Sequence, residues 1–232
     1  MTMVLALDSS TAACSVAVWH DGVIVAHCFE VLDRSHAERL IPMVDDAIKS
    51  SGHKFEEIDL VAVTVGPGAF TGLRIGISTA RGLALALNIP CVGISSMECL
   101  CACIDGARDG DVILTVLDTK RGDLFVQIFD FSSKALCNVA IIPSDGVINF
   151  IEGIAKKTRC IVAGDALEPI QEALTTQGLV LVSSGTKFPD ATQVANIAAW
   201  RLEAGRAQLP PKPVYLRLPD ASIPLNVDGL RA

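Results

Sequence analysis

The chain has few histidines, and none stands in a pattern that builds a catalytic metal or hydrolase site. The four are His20, His27, His36 and His53, and they form neither an H-x-x-x-H nor an H-E-x-x-H pair. Helical zinc sites of that kind are therefore excluded. The sequence also lacks a G-x-S-x-G turn, the motif that presents a nucleophilic serine. Neither metallopeptidase nor serine hydrolase chemistry has residues to carry it.

The sequence lacks long apolar runs and an excess of basic residues. A membrane-spanning helix needs about 20 apolar residues, whereas the apolar segment at residues 73–87 is interrupted by Arg74 and Arg81. No basic stretch typical of a signal peptide opens the chain, which predicts a cytoplasmic protein without membrane association. Lys and Arg number 19 against 26 Asp and Glu, a net charge of −7. A face that binds RNA by itself is therefore not predicted.

Eight cysteines are present, but their spacing does not match a zinc ribbon. Cys99, Cys101 and Cys103 form a C-x-C-x-C pattern. On a helix the first and last of these share a face while the middle one points elsewhere, so a single ion would not be held by all three. We expect the cysteines to be small, buried and reduced. No cofactor or metal is predicted.

The apolar half of the composition predicts substantial cores, and 232 residues predict two domains. In the first half, apolar periodicity predicts strands at residues 3–7, 13–20 and 22–30, then a helix at 36–51. A strand at 60–65, a helix at 71–88, a strand at 91–93 and a helix at 96–104 follow. Pro42 predicts that the helix at 36–51 either starts near Ile41 or kinks there.

The second half repeats this order. Strands are predicted at 112–117, 124–129 and 136–142, and helices at 144–155, 167–176 and 192–204 alternate with strands at 160–163 and 179–182. This order predicts an α/β fold with two ribonuclease H-like domains of the actin/Hsp70-like superfamily, each with a mixed five-stranded sheet flanked by helices. We assign residues 1–105 and 106–207 to the two domains, and residues 208–232 to a proline-rich tail.

Two polar turns follow the first strand of each half. The first contains Asp8, Ser9, Ser10 and Thr11, and the second begins at Asp118. In actin-like proteins such turns bracket nucleotide phosphates, which makes an ATP-dependent phosphotransferase of the sugar-kinase type the alternative function. The second turn, D-T-K-R-G, has long side chains and little glycine, so we favour a purely structural role for both turns.

The glycine-rich segment at residues 66–76 leads into the most distinctive helix. Gly72, Gly76, Ala80 and Ala84 are four residues apart and form a smooth stripe. A second face contains Arg74, Ser78 and Arg81. Because this helix has few charges, it is either an interaction surface or a helix buried in the centre of the protein, and the pattern alone leaves both open.

Several segments together resemble the TsaB (YeaZ-type) family of tRNA threonylcarbamoyladenosine biosynthesis proteins. They are L-A-L-D-S-S-T at residues 5–11, S-H-A-E-R-L at 35–40, V-G-P-G-A-F-T-G-L-R-I-G at 65–76, D-T-K-R-G at 118–122 and P-V-Y-L-R at 213–217. The resemblance spans nearly the whole chain. Ala69 stands where the family usually has serine, a difference that we expect to leave the fold unchanged.

The resemblance implies a non-catalytic partner subunit of the complex that forms threonylcarbamoyladenosine next to the tRNA anticodon. The implied partners are a TsaD-type catalytic subunit and a TsaE-type ATPase, with tRNA bound only through the complex and a homodimer formed when the chain is alone. It also implies that the helices at 35–51 and 71–88 make the contact. The predicted interface residues are Leu40, Met43, Val44, Thr71, Leu73, Arg74, Ile77, Ser78 and Arg81.

Overall fold

A computed structural model describes residues 1–32, 35–154, 159–168, 170–171, 180–206 and 210–216. The first half contains strands β1 (Met3–Asp8), β2 (Ala13–His20), β3 (Val23–Val31), β4 (Leu60–Gly66) and β5 (Cys91–Ser95). They form one sheet in the order β3-β2-β1-β4-β5. The helices of this half are α1 (His36–Ser51), α2 (Phe70–Leu87) and α3 (Ser96–Ala102), with a 3₁₀ turn at Phe55–Glu57.

The second half contains strands β6 (Val112–Asp118), β7 (Asp123–Asp130), β8 (Ala140–Pro143), β9 (Arg159–Ala163) and β10 (Val180–Ser183). Their order, β10-β9-β6-β7-β8, repeats that of the first sheet. In both sheets the first three strands are antiparallel and the last two run parallel to the first. A 3₁₀ turn at Ser144–Gly146, α4 (Val147–Ile154) and α5 (Ala191–Glu203) are the described helical elements. The predicted duplicated α/β fold is confirmed.

Most predicted boundaries agree with the structure to within about two residues, and two segments need comment. Helix α1 runs from His36 to Ser51 as predicted, so of the two alternatives at Pro42 the start near Ile41 is wrong. Pro42 lies on the exposed side of α1, where water can satisfy the carbonyl that loses its helical partner. Strand β8 begins at Ala140, later than predicted. Before it the Leu136 N–H still donates to the Ile128 carbonyl, but the Ile128 N–H donates to the Cys137 sulfur instead of a backbone carbonyl. The helix predicted at 167–176 falls largely outside the described residues.

Both faces of the first sheet are covered by helices. On one face α1 and α2 pack through apolar side chains that include Leu40, Val44, Leu73 and Ile77. On the other face α5 packs its small residues against β1, β2 and β4. The domain boundary at residue 105 stays a prediction. However, residues 191–203, which we assigned to the second domain, contribute to the core of the first.

Helix α3 lies between the two sheets. Its Met97, Leu100 and Cys101 pack with Ile113 and other residues of the second sheet. Cys99, on the same helix, packs with α5 and the first sheet. An ion pair between Glu98 and Arg201 joins α3 to α5. The two halves therefore share one short helix rather than meeting only through a linker.

Half of the cysteines are buried as expected, whereas Cys28, Cys91, Cys103 and Cys137 are half-buried. Cys14, Cys99, Cys101 and Cys160 are fully buried, and all eight thiols are free. Burial raises the pKa of Cys101 and of Cys160 to about 12, so both thiols are protonated at neutral pH. Within the described ranges, no group of three or more metal-ligating side chains lies close together. No helix in the part of the chain that the structure describes is long and apolar enough to cross a membrane.

Asp190 fixes the start of α5 on the first sheet. Its carboxylate accepts hydrogen bonds from the Thr192 N–H at 2.8 Å and the Thr192 hydroxyl at 2.7 Å, which caps the helix. The same carboxylate lies 3.1 Å from Nε2 of His27 on β3. This hydrogen bond raises the pKa of His27. Burial acts to raise the pKa of Asp190, but the bonds from His27 and Thr192 outweigh it and hold that pKa below its usual value.

The Asp190–His27 pair should make stability depend on pH. The contribution of Asp190 is lost as the pH falls through its lowered pKa, and that of His27 is lost as the pH rises through its raised pKa, so the pair stabilises most between about pH 4 and pH 6.5. Asp190→Asn keeps a good helix cap but removes the charge. We expect urea unfolding to show a larger loss of stability in this variant at about pH 5.5 than at about pH 8. His27→Gln should show the same dependence, and an equal loss at both pH values would contradict the assignment.

Candidate functional site

The first polar turn, from Asp8 to Thr11, is buried. Oδ1 of Asp8 accepts hydrogen bonds from the Ser10 N–H at 3.2 Å, the Ser10 hydroxyl at 2.7 Å and the Thr64 hydroxyl at 2.5 Å. The carbonyl of Thr11 lies 2.9 Å from Nε2 of His36, at the first residue of α1. The Ser10 N–H and hydroxyl, which could otherwise donate to a phosphate, are thus engaged within the protein.

The glycine-rich segment before α2, together with the first turns of that helix, fills the space over this turn. The Ala69 N–H donates to the Ser10 carbonyl at 2.7 Å, and the Ser9 hydroxyl donates to the Gly72 carbonyl at 2.9 Å. A Cβ atom on Gly68 would overlap the Ser10 carbonyl oxygen, and one on Gly72 would overlap that of Ser9. The smooth stripe of α2 therefore serves close approach within the chain. The helix is not wholly buried, because its other side is exposed, and contact of that side with another protein stays a prediction.

Asp8 has an unusual electrostatic environment. Burial raises its pKa to about 6, although hydrogen bonds from Thr64 and Ser10 act in the opposite direction. Its second oxygen, Oδ2, is buried and has no hydrogen-bond partner among the described residues. A carboxyl group in this position is partly protonated near neutral pH, which lowers the cost of burying it.

In the described part of the chain, the second polar turn is held by ion pairs and hydrogen bonds of its charged side chains rather than by a helix packed over it. Oδ1 of Asp118 accepts from the Lys120 N–H at 2.6 Å, and Oδ2 lies 3.0 Å from the Lys120 ammonium. That ammonium is also 3.9 Å from Oδ2 of Asp165. The hydrogen bond with Asp118 is the largest of the effects that raise the pKa of Lys120.

Asp165 was not among the predicted site residues, although it completes this cluster. Its Oδ1 accepts from the Asp118 N–H at 2.9 Å, and burial raises its pKa. Asp165 follows β9 just as Pro67 follows β4, the matching strand of the first sheet. One signal in the sequence could have identified it: β6 and β9 are neighbouring parallel strands, and polar residues that follow such strands lie at the same edge of the sheet.

The predicted interface residues separate into two groups in the structure. The apolar ones face inward and belong to the core under α1 and α2, so their side chains cannot touch a partner while the helices stay packed. They are Leu40, Met43, Val44, Leu73 and Ile77. The second group lies on the exposed side of α2 and consists of Thr71, Arg74, Ser78 and Arg81. Helical periodicity explains the division, because an apolar stripe at this spacing faces the sheet.

The outer surface of α1 and α2, which we call the outer helix face, also exposes large apolar side chains that were not predicted. Leu85 is 83% exposed, and Phe70 and Ile41 are each 51% exposed. Leu85 is four residues beyond Arg81, so the same helical spacing that joined the arginines could have identified it. Among the described residues, no carboxylate lies within ion-pair distance of Arg74 or Arg81.

Comparison with known proteins agrees with the resemblance noted in the sequence. A family model described as TsaD, tRNA N6-adenosine threonylcarbamoyltransferase, matches residues 29–223. The tRNA threonylcarbamoyladenosine biosynthesis protein TsaB of Escherichia coli (strain K12) is 30% identical over 220 residues, which cover 92% of this chain and 94% of that protein.

Two solved structures extend the comparison. YeaZ from Pseudomonas aeruginosa superposes with a TM-score of 0.75 at 27% identity and covers 93% of this chain and 100% of its own. ROK hexokinase from Thermus thermophilus has a TM-score of 0.50 at 11% identity and covers 87% of this chain and 100% of its own. At that identity the likeness to the hexokinase concerns the fold alone.

The close contact between α2 and the first turn can be tested with two glycines of the same helix. Gly72→Ala should destabilise the protein by about 1–3 kcal/mol or more, because the new methyl group overlaps the Ser9 backbone. Gly82→Ala meets nothing within 4 Å and should stabilise it by roughly 0.5–1 kcal/mol. Urea unfolding measures both. Equal effects of the two substitutions would contradict the close contact.

The buried Asp8 should contribute a separate component to the pH dependence of the free energy of unfolding. The folded protein keeps a proton on Asp8 up to about pH 6, whereas the unfolded chain loses it near the ordinary aspartate pKa of 3.8, so this group lowers stability as the pH rises through that window. In Asp8→Asn this component is removed. The free energy of unfolding of the variant should rise relative to wild type between about pH 4.5 and pH 7, by an amount on the order of 2 kcal/mol. Parallel curves for the two proteins would show that Asp8 titrates normally.

Proposed function

Because this chain belongs to the TsaB (YeaZ-type) family of tRNA threonylcarbamoyladenosine biosynthesis proteins, we propose that it acts in forming N6-threonylcarbamoyladenosine in tRNA. In this proposal it is a non-catalytic cytoplasmic subunit that binds and supports a TsaD-type transferase. A TsaE-type ATPase joins the complex, and tRNA is contacted mainly through the partner. The net charge of −7 supports this division of labour, because the chain has no excess of cations for phosphate contacts.

The observation that carries the proposal is the outer helix face. It combines exposed apolar side chains, led by Leu85, with Arg74 and Arg81, for which the described residues provide no carboxylate. Exposed apolar side chains grouped with arginines that lack a carboxylate partner are typical of protein–protein interfaces. We therefore assign the partner contact to the exposed residues of α1 and α2, in place of the core residues Leu73 and Ile77.

The non-catalytic role is supported by the state of the two polar turns. The groups of the first turn bond to one another and to the start of α2, and Asp118 and Asp165 of the second cluster share Lys120. A sugar-kinase type of reaction would need these groups to face a nucleotide. Their present bonds favour a structural role.

The same face is suited to self-association when the partner is missing. Helix α1 exposes Glu38 and Asp46, whereas α2 exposes Arg74 and Arg81. A two-fold axis can place α1 of one copy against α2 of the other, so opposite charges meet twice. We propose that the isolated chain forms a homodimer in this way, and that the transferase subunit replaces the second copy.

The experiment that tests the proposed function combines binding with a modification assay. The chain should copurify with its TsaD-type subunit as a heterodimer. Transfer of the threonylcarbamoyl group from threonylcarbamoyl-adenylate to tRNA, measured by nucleoside analysis, should depend on the presence of this chain. Unchanged modification without the chain would reject the supporting role.

A charge placed on the outer helix face should disrupt the complex. Leu85→Asp should weaken binding to the transferase subunit by about tenfold or more, because a carboxylate would be buried in an apolar contact. The matched control is Leu202→Asp, which changes a 44% exposed leucine of α5. Isothermal titration calorimetry should find wild-type affinity for the control. Equal affinities for both variants would remove the assignment of the face.

A further inference from the structure

The segment at residues 210–216 crosses the end of the first sheet. The Val214 N–H donates to the Val65 carbonyl at 2.7 Å, where the register between β4 and β5 shifts. Glycines make room for this crossing: a Cβ atom on Gly93 would lie 2.9 Å from the Pro210 carbonyl oxygen. The segment, which we call the strap, is thus held by backbone contacts to the sheet that carries α1 and α2.

The strap places Tyr215 against the first turn of α2. Nε of Arg74 donates to the Tyr215 hydroxyl at 2.9 Å. The guanidinium carbon of Arg74 lies 3.6 Å from the centroid of the Phe70 ring and 5.7 Å from that of Tyr215. The two rings are 5.2 Å apart. Three side chains from two distant parts of the chain therefore form one cluster on the surface.

This cluster is exposed, and the guanidinium of Arg74 has N–H donors that no described group accepts. Tyr215 is 45% exposed, close to the value for Phe70. Arg74 is exposed, only its Nε donates to a described group, and neither terminal nitrogen has a carboxylate partner among the described residues. Such a planar fork binds carboxylates with two parallel hydrogen bonds. The neighbouring rings and the Tyr215 hydroxyl limit its rotamers in advance, which reduces the entropy lost on binding.

We propose that Arg74, held by Phe70 and Tyr215, binds a carboxylate of the transferase subunit, and that the strap is part of the partner-binding surface. This inference rests on the proposed function. Charge supports the choice of occupant: α2 contains Arg74 and Arg81 but no acidic residue from Phe70 to Leu87, so a surface packed against it must bring its own carboxylates. The cluster is also continuous with the outer helix face, because Arg74 belongs to both. Tyr, Phe and Arg are residue types enriched at interfaces, and Tyr and Arg also at hot spots.

The test measures affinity for the transferase subunit by calorimetry with three variants of the full chain. Arg74→Ala should weaken binding about tenfold or more, since it removes the anchor. Tyr215→Phe removes only the hydroxyl and should weaken binding by about 3- to 10-fold, because the fork is no longer fixed. The control is Arg206→Ala, which deletes an arginine stacked 4.1 Å from the Trp200 ring centroid away from α2. Its affinity should stay within about twofold of wild type.

Salt and a second interface variant separate the possible outcomes. The Arg74 effect should shrink between low and high salt, as expected for a partly exposed ion pair. Suppose that Arg74→Ala and Tyr215→Phe bind with wild-type affinity while Leu85→Asp binds more weakly. The role of Arg74 in binding a carboxylate would then be overturned, and the proposed function would stand. If Arg74→Ala weakened only the homodimer, the transferase subunit would be the wrong occupant. If Leu85→Asp also bound with wild-type affinity, the assignment of the outer helix face as the interface would be rejected as well.

Discussion

The backbone contact between α2 and the turn after β1 is the constraint on which the rest of the structure depends. It fixes how deeply α2 lies on the first sheet, and it requires the glycines that meet Ser9 and Ser10. It also determines which side of α2 remains outside, and therefore which residues are available to a partner. The turn, whose residue types resemble those that hold phosphates in actin-like proteins, is here the site on which the start of α2 packs.

The polar turn after the first strand is stabilised by different interactions in the two sheets. At the end of β1 the polar turn is covered by backbone, and its one carboxylate is buried with a raised pKa. At the end of β6 the turn stays near solvent, and Lys120 balances Asp118 and Asp165. A repeated topology thus does not require repeated side chains. This explains why the sequence shows a repeated order of elements without a visible repeat of residues.

Local periodicity was sufficient to predict the strands, most helices and their order, because alternation and helical spacing depend on near neighbours. The side of α2 that faces the sheet was not predicted, since both a smooth stripe and an arginine face were candidates for contact. Glycine spacing alone does not say whether the approaching backbone comes from the same chain. Asp165, Tyr215 and the packing of α5 depend on contacts between residues far apart in sequence, and no local pattern records those.

The return of α5 to the first sheet has a consequence for synthesis. As the chain leaves the ribosome, the face of the sheet formed by Val4, Ala6, Ala17 and Leu60 is complete long before the residues that cover it have been made. The amino-terminal half cannot finish folding until nearly all of the polypeptide has emerged, and an apolar surface stays open during that interval. Truncation before residue 191 would remove α5 and leave most of that surface uncovered.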